Sequence, residues 1–329
     1  MLFEARQISV EYTSLGLVNR AVNNVDVDLG RGEVLGVVGE SGCGKSPLAL
    51  ALLGLTRPGA KITSGSIKLD DVELLAGSQD KWKSTRGAKI GLVTQNPRAS
   101  LNPTMRVGRQ ISTVYQAHTQ ANAKQARAAT IAALQLVGMN DPERRYDAYP
   151  HELSGGMAQR ALIAMATVTK PTVVIADEPT SRLDVTIQAQ ILDDLVRAVG
   201  EVGSALVLIT QDLGVVANYA DRVYVLHAGE VVEVADTTSF FDMPTHPTSI
   251  SLLAAELGTE DGASKLTGLP ADGRHLPAEG CWLQGRCPYA DAGSGCYTDH
   301  PGLSDVGGGH LARCHRWAML REQRIGALR

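Results

Sequence analysis

The chain has 329 residues, enough for one large α/β domain with a small extension. Its formal net charge of −4 excludes a bulk electrostatic attraction to nucleic acid, and no apolar run reaches the roughly 18–20 residues that span a bilayer. The first residues, MLFEARQISVEY, lack the basic and apolar regions of a signal peptide, so a cytosolic setting is expected and any membrane role needs other subunits.

From Phe3 to Asp28 the pattern alternates loosely and reads as strands of an antiparallel sheet, with Tyr12 among small and polar residues. Val34 to Gly39 (VLGVVG) is a short, β-branched apolar run and reads as a buried strand. GESGCGKS follows, Gly39 to Ser46, and fits the phosphate-binding pattern G-x-x-x-x-G-K-[ST]. LALALLGL, Leu48 to Leu55, reads as a buried helix. In such a strand–loop–helix, backbone N–H groups converge on phosphates. The glycines let the backbone approach closely. The expected cradle is Gly39, Ser41, Gly42, Cys43, Gly44, Lys45, Ser46 and Pro47. Lys45 would reach the β- and γ-phosphates, and the Ser46 hydroxyl would bind Mg²⁺. Cys43 reads only as a small residue there. Pro47 falls just inside the helix, where its missing N–H costs little.

Ser64-Gly65-Ser66 precedes IKLDDVELL, another strand signal. KIGLVT, Lys89 to Thr94, is an apolar strand with Gln95 directly after it. NPRASLNPTM reads as a loop by its prolines. Ile111 to Val137, rich in Ala, Gln and Leu, reads as helix. PHELSGGMAQR, Pro150 to Arg160, leads into the helical ALIAMATVT. Thr172 to Ala176 is a buried strand ending in Asp177-Glu178. VTIQAQILDDLVRAVG is an amphipathic helix, ALVLIT (Ala205 to Thr210) a further buried strand, and Val223 to Val234 a hairpin around HAGE. Strands alternating with helices argue for a parallel sheet covered on both faces. The helix-rich stretch from about 101 to 170 reads as an insertion. Residues 256–280 are rich in Gly, Pro and charge and mark a linker, and a cysteine-bearing tail follows.

VVIADE, Val173 to Glu178, has the form of a Walker B strand, with its carboxylates emerging at the C-terminal end beside the phosphate loop. Asp177 would hold Mg²⁺, directly or through water. Glu178 would orient and deprotonate an attacking water.

At LSGGMAQR the chain resembles the ATP-binding cassette (ABC) ATPases, with Leu153 to Gln159 as their signature motif. Tyr12 takes the place of the aromatic that stacks on adenine, Gln95 that of the Q-loop, and Ser181-Arg182-Leu183-Asp184 that of the D-loop. The resemblance covers roughly residues 1–255. NPRASLNP, PHELSGGMAQR, DEPTSRLDVTIQAQIL and THPTSISLLAA narrow it to the peptide and nickel importer branch, and to the D-subunit type of dipeptide/oligopeptide importer ATPase.

The resemblance implies an α/β P-loop NTPase core with an antiparallel β subdomain and a helical subdomain at about 101–170, plus a small cysteine-rich C-terminal extension over 281–329. It implies ATP and Mg²⁺, with two cassettes sandwiching two ATP molecules head to tail. Ser154, Gly155 and Gly156 would then contact the ATP held by a second ABC ATPase subunit, as a helix N-terminus suits a phosphate. Gln95 would sense Mg²⁺ and pass closure to two transmembrane permease subunits, with an extracytoplasmic substrate-binding protein acting indirectly. The expected place is the cytoplasmic face of the inner membrane, bound peripherally, with no nucleic-acid partner. Di- and oligopeptides are the expected cargo, and nickel or metal chelates the alternative. A soluble ABC protein acting on nucleic acid or ribosomes would need a long coiled-coil insertion or tandem cassettes, and neither pattern is present.

Three positions depart from the branch. Gln211 stands where the switch histidine is usual, Arg182 replaces the D-loop alanine, and Ala158 replaces the arginine of GGMRQR. Loss of one transition-state donor costs about 2.7–4 kcal/mol, roughly 10²–10³ in rate. The expectation is an impaired site of the chain's own, unless the Gln211 amide substitutes as a hydrogen-bonding group.

Cys281, Cys287, Cys296 and Cys314 crowd into the tail. In a reducing compartment this suggests metal rather than disulfides. Four thiolates suit zinc or an iron–sulfur cluster, and spacing alone does not decide. The order C-x5-C-P, Cys, H-x-x-x-C resembles the C-terminal extension of the importer branch, similar to tails that bind a 4Fe-4S cluster, with a longer gap here after the second cysteine. Zn²⁺ is the alternative. His310 and His315 are substitute ligands, weighed against plain solvation in a loop.

Overall fold

The computed structural model describes residues 1–14, 17–77, 79–181, 183–256, 266 and 276–327. Arg182 and most of the expected linker, residues 257–265 and 267–275, lie outside these. The first elements are β1 (Phe3–Ser14), β2 (Leu17–Leu29), β3 (Val34–Gly39), α1 (Lys45–Ala51), β4 (Ala60–Leu69), β5 (Val72–Glu73), α2 (Gln79–Thr85) and β6 (Ile90–Val93). Then come α3 (Pro97–Ser100), α4 (Val107–His118), α5 (Ala123–Leu136), α6 (Pro142–Tyr146), α7 (Gly155–Thr167), β7 (Val173–Asp177), α8 (Val185–Glu201) and β8 (Ala205–Ile209). The last are α9 (Leu213–Tyr219), β9 (Arg222–His227), β10 (Glu230–Asp236), α10 (Thr237–Asp242), α11 (Pro247–Glu256), β11 (Ser304–Gly307), β12 (His310–Ala312) and α12 (Trp317–Ala327). They form two compact units interleaved in sequence, one of residues 1–3, 29–33 and 69–209, the other of 4–28, 34–68 and 210–329.

In the first unit β8, β7 and β6 lie side by side and parallel, with Leu92 opposite Ile175 and Ile175 opposite Val207. Val173 to Ala176 and Leu206 to Ile209 are fully buried, as continuous apolar runs in a sheet covered on both faces must be. The helix expected over Ile111 to Val137 is two helices. Asn122 accepts the Gln125 N–H at 3.0 Å while the Gln125 side chain accepts the Asn122 N–H at 2.9 Å. This reciprocal cap starts a new helix and overrides the propensity of the surrounding residues. Ser112, Thr130 and Tyr146 then tie α4, α5 and α6 together through hydroxyl contacts of 2.9 and 3.0 Å. The expected loop NPRASLNPTM contains α3, because Asn96 caps it and Pro97 occupies a first-turn position.

In the second unit the strand order is β11-β12-β10-β9-β3. β3 and β9 are parallel, with Val38 opposite Val225, and β9 and β10 form the expected hairpin. Val38, Leu213, Val216, Val223, Val225, Val232 and Phe240 share one core. β2, β1 and β4 are neighbours in a second sheet, the antiparallel β subdomain of the expected fold. α1 begins at Lys45 and ends at Ala51, earlier at both ends than the run LALALLGL suggests. The cysteine-bearing tail is built into the sheet: β12 pairs with β10, Glu233 opposite Ala312 and Val234 opposite Leu311.

His310 corrects the expectation of a solvated loop histidine. It lies on β12, buried, with Nε2 2.7 Å from Glu233 Oε1. His315 Nε2 is 2.8 Å from the Asp299 carbonyl.

Candidate functional site

The loop from Gly39 to Ser46 turns from β3 into α1. Gly39 has φ 153° and Gly44 φ 113°. A Cβ on Gly39 would run into the Leu226 carbonyl, and one on Gly44 into the Ala21 carbonyl. Only glycine fits either place. Lys45 is buried, and its Nζ donates to the carbonyls of Gly39 at 2.7 Å and Glu40 at 2.9 Å. A backbone stripped of side chains and closed over a buried ammonium is a cradle for an anion. Cys43 is buried as a small residue, and burial pushes its thiol up, so it stays neutral. Ser41 and Gly42 are exposed, and Ser46, Pro47 and Tyr12 are half-buried.

One partner of this loop has no signal in the local pattern. The Glu40 carboxylate takes a two-pronged ion pair from Arg286, Nη1 to Oε2 and Nη2 to Oε1, both at 2.8 Å. The arginine stands 246 residues away in sequence, beside Cys287.

In the first unit, β6 and β7 run in register with Val93 opposite Ala176. Gln95 and Asp177-Glu178 therefore emerge together at the carboxyl ends of neighbouring parallel strands, where α/β sheets place their chemistry. Gln95 Nε2 donates to Glu178 Oε2 at 2.6 Å. The Glu178 N–H donates to the Ile209 carbonyl at 2.8 Å, and its φ is 46°, a left-handed conformation that non-glycine residues adopt only uncommonly.

Ser154 caps α7, its Oγ accepting the Met157 N–H at 3.3 Å. A Cβ on Gly156 would lie 2.9 Å from the Ile187 side chain, and one on Gly155 3.2 Å from that of Leu183. The two glycines are thus also packing requirements. Ala158 is fully buried. Asp184 caps α8 by accepting the Ile187 N–H at 3.1 Å. A pocket of about 210 Å³ opens among Gln95, Arg98, Gln159 and Leu183. Gln211 is exposed in the bend after β8, next to Asp212, which caps α9.

Cys281, Cys287, Cys296 and Cys314 line one small pocket with His315 at its side. Burial drives the Cys287 thiol up to about 11 and that of Cys314 up to about 12. Among the described residues no group of three or more His, Cys, Asp or Glu side chains is placed to hold a metal ion. Nor, among them, is any helix long and apolar enough to cross a membrane.

The family model described as ABC transporter matches residues 22–181. A solved dimeric bacterial ABC transporter cassette, MJ0796, is similar with a TM-score of 0.64 at 25% identity, covering 72% of this chain and 99% of that one. The chain is an ABC transporter ATPase. The probable peptide ABC transporter ATP-binding protein y4tR of Sinorhizobium fredii is 41% identical over 320 residues, 96% of this chain and 95% of that protein. The dipeptide transport ATP-binding protein DppD of Escherichia coli K12 is 38% identical over 316 residues, 95% of this chain and 96% of that protein. Within the ABC class, the chain belongs to the ATP-binding subunits of the peptide importer family.

Proposed function

We propose that this chain hydrolyses ATP to drive import of di- and oligopeptides through two permease subunits, beside a second and different cassette, at the cytoplasmic face of the membrane. The observation that carries the reading is the phosphate loop, whose Gly39 and Gly44 admit no side chain and whose buried Lys45 ammonium faces the loop's own carbonyls. Phosphate oxygens would take over that ammonium. Ser46 and Asp177 would hold Mg²⁺, which neutralises charge on the β- and γ-oxygens. Glu178, oriented by Gln95, would accept the proton of the attacking water, and Tyr12 would stack on adenine. Residues 1–255 form the cassette on this reading, with 101–170 as its helical subdomain. Purifying the tagged chain from detergent-solubilised membranes tests the assembly. Two permeases and a distinct cassette are expected, whereas ribosomes or nucleic acid overturn the reading.

Gln211 supports a division of labour between two composite sites. The site built on this chain's Lys45, Ser46, Asp177, Glu178 and Gln211 would bind MgATP and hydrolyse it slowly. The other would use Ser154, Gly155 and Gly156 against the partner's ATP and carry most turnover. Glu178→Gln should then lower hydrolysis less than the matching change in the partner cassette. Equal, near-complete loss in both contradicts this division.

The four cysteines would hold a 4Fe-4S cluster. Their thiols line one pocket, and four thiolates are the ligand set that such a cluster takes. Anaerobic purification should yield iron and sulfide in near-equal amounts, and stoichiometric zinc without iron overturns it.

A further inference from the structure

Glu40 is the only acidic residue between Gly39 and Ser46. A carboxylate within a loop built for polyphosphate works against its ligand. It is also central to the loop's own bonding. The Glu40 carbonyl accepts from Lys45 Nζ at 2.9 Å and from the Cys43 N–H at 3.3 Å. An unneutralised carboxylate on the same residue would compete with phosphate for the Lys45 ammonium.

We propose that Arg286, carried by the cysteine-bearing tail, is a positioning residue for ATP: it neutralises and orients Glu40 and so keeps the phosphate loop receptive to an anion. This rests on the reading of residues 39–46 as the triphosphate cradle. The geometry is that of a strong pair. Both prongs are 2.8 Å long, and the side chains are only 13% and 20% exposed. A planar guanidinium meets a carboxylate in this way and an ammonium cannot.

Among the described residues no other cation does the same work. His227 Nδ1 is 3.8 Å from Glu40 Oε2, but burial drives its pKa down to about 4, so it is neutral. Burial alone would raise the Glu40 carboxyl. The hydrogen bonds and charge of Arg286, with smaller help from Lys45, reverse that and hold it below its ordinary value. Glu40 is thus ionised at neutral pH and requires its partner.

The tail holds Arg286 firmly. Residues 281–287 form a turn in which the Gln284 N–H donates to the Cys281 carbonyl and the N–H groups of Arg286 and Cys287 to that of Leu283, all at 2.9 Å. A second brace reaches the same loop. His300 Nε2 lies 2.7 Å from Glu230 Oε2, and the neighbouring Gly229 N–H donates to the Cys43 carbonyl at 2.8 Å.

The test is MgATP affinity of the full-length chain, measured by displacement of a fluorescent ATP analogue. Arg286→Gln should weaken binding by roughly tenfold or more, the effect of one uncompensated charge near the phosphates. Arg286→Lys should lose less, and Glu40→Gln should bind as well as the unmodified chain or better. The double change Glu40→Gln with Arg286→Gln should recover affinity to within about threefold, because the two charges act as a pair. A merely structural arginine would not be rescued by removing its partner. Binding equal to the unmodified chain in Arg286→Gln, no recovery in the double variant, or weakened binding in Glu40→Gln overturns the proposal. Lys45→Ala separates it from the cradle reading. An unmodified chain that binds no MgATP, or a Lys45→Ala chain that binds equally well, removes the cradle and this role together. Loss in Lys45→Ala without the Arg286 pattern removes only the arginine's role.

Discussion

Gln95 Nε2 donates to Glu178 Oε2 at 2.6 Å, across two parallel strands whose register sets Val93 beside Ala176. The amide fixes one carboxylate oxygen of Glu178 and so orients the group. Gln95→Glu sets a second carboxyl against the first, and two carboxylates at that distance cannot both stay ionised. The acid limb of the pH–rate profile for ATP hydrolysis should move upward by about a unit or more. An unchanged profile in the variant would show that the two side chains do not meet in the working enzyme.

The loop glycines make a sharper case. Gly39→Ala and Gly44→Ala each force a Cβ into a backbone carbonyl, at φ 153° and 113°. The loop must shift to accept either, so MgATP binding should be lost, with instability of order 1–3 kcal/mol from strain alone. Gly200, which has open space where its Cβ would stand, is the control and should tolerate alanine. Nucleotide binding and thermal melting of the three variants decide the matter.

Glu233 is fully buried and accepts the Thr245 N–H at 2.7 Å, the Thr245 hydroxyl at 3.0 Å and the His246 N–H at 2.9 Å. His310 closes this set at 2.7 Å. His310→Ala leaves the buried Glu233 carboxyl short of one hydrogen-bond partner and should cost about 1–3 kcal/mol in urea unfolding. His310→Gln, which can still donate, should cost less. Equal losses would assign the effect to packing.

His227 gives the stability a pH dependence of known sign. Neither ring nitrogen has a hydrogen-bond partner among the described residues. Burial, the largest influence, lowers its pKa from 6.5 to about 4 against the pull of Glu40 and Glu230. Between those values the unfolded chain binds a proton that the folded chain refuses. Stability should therefore fall as pH drops through that window, by about 1.4 kcal/mol per pH unit at most, and level off below it. His227→Gln should flatten this part of the profile. Parallel urea-midpoint profiles for the two proteins would contradict the assignment.

Local pattern made the phosphate loop and the strands legible. Glycine spacing, β-branched runs and the turn at HAGE all act within a few residues of one another. The split between α4 and α5 was equally local but hidden, since the Asn122 and Gln125 pair sits within a run of good helix formers. The long-range bonds were not legible. Nothing near Arg286 in sequence announces Glu40, and nothing near His310 announces Glu233. Such pairs arise only once β12 has joined β10 and the tail has been brought back against the phosphate loop. The cysteines were conspicuous by spacing, whereas the arginine among them carries the bond that reaches the nucleotide loop.

The most direct test of the account is accumulation of a labelled dipeptide in vesicles reconstituted with the complete transporter and its binding protein, with ATP supplied on the side of the cassettes. The account expects accumulation that requires ATP, disappears with Lys45→Ala in this chain, and is competed by unlabelled di- and oligopeptides. Peptide accumulation that survives Lys45→Ala, or ATP-driven uptake of a nickel chelate with no uptake of peptide, would contradict it.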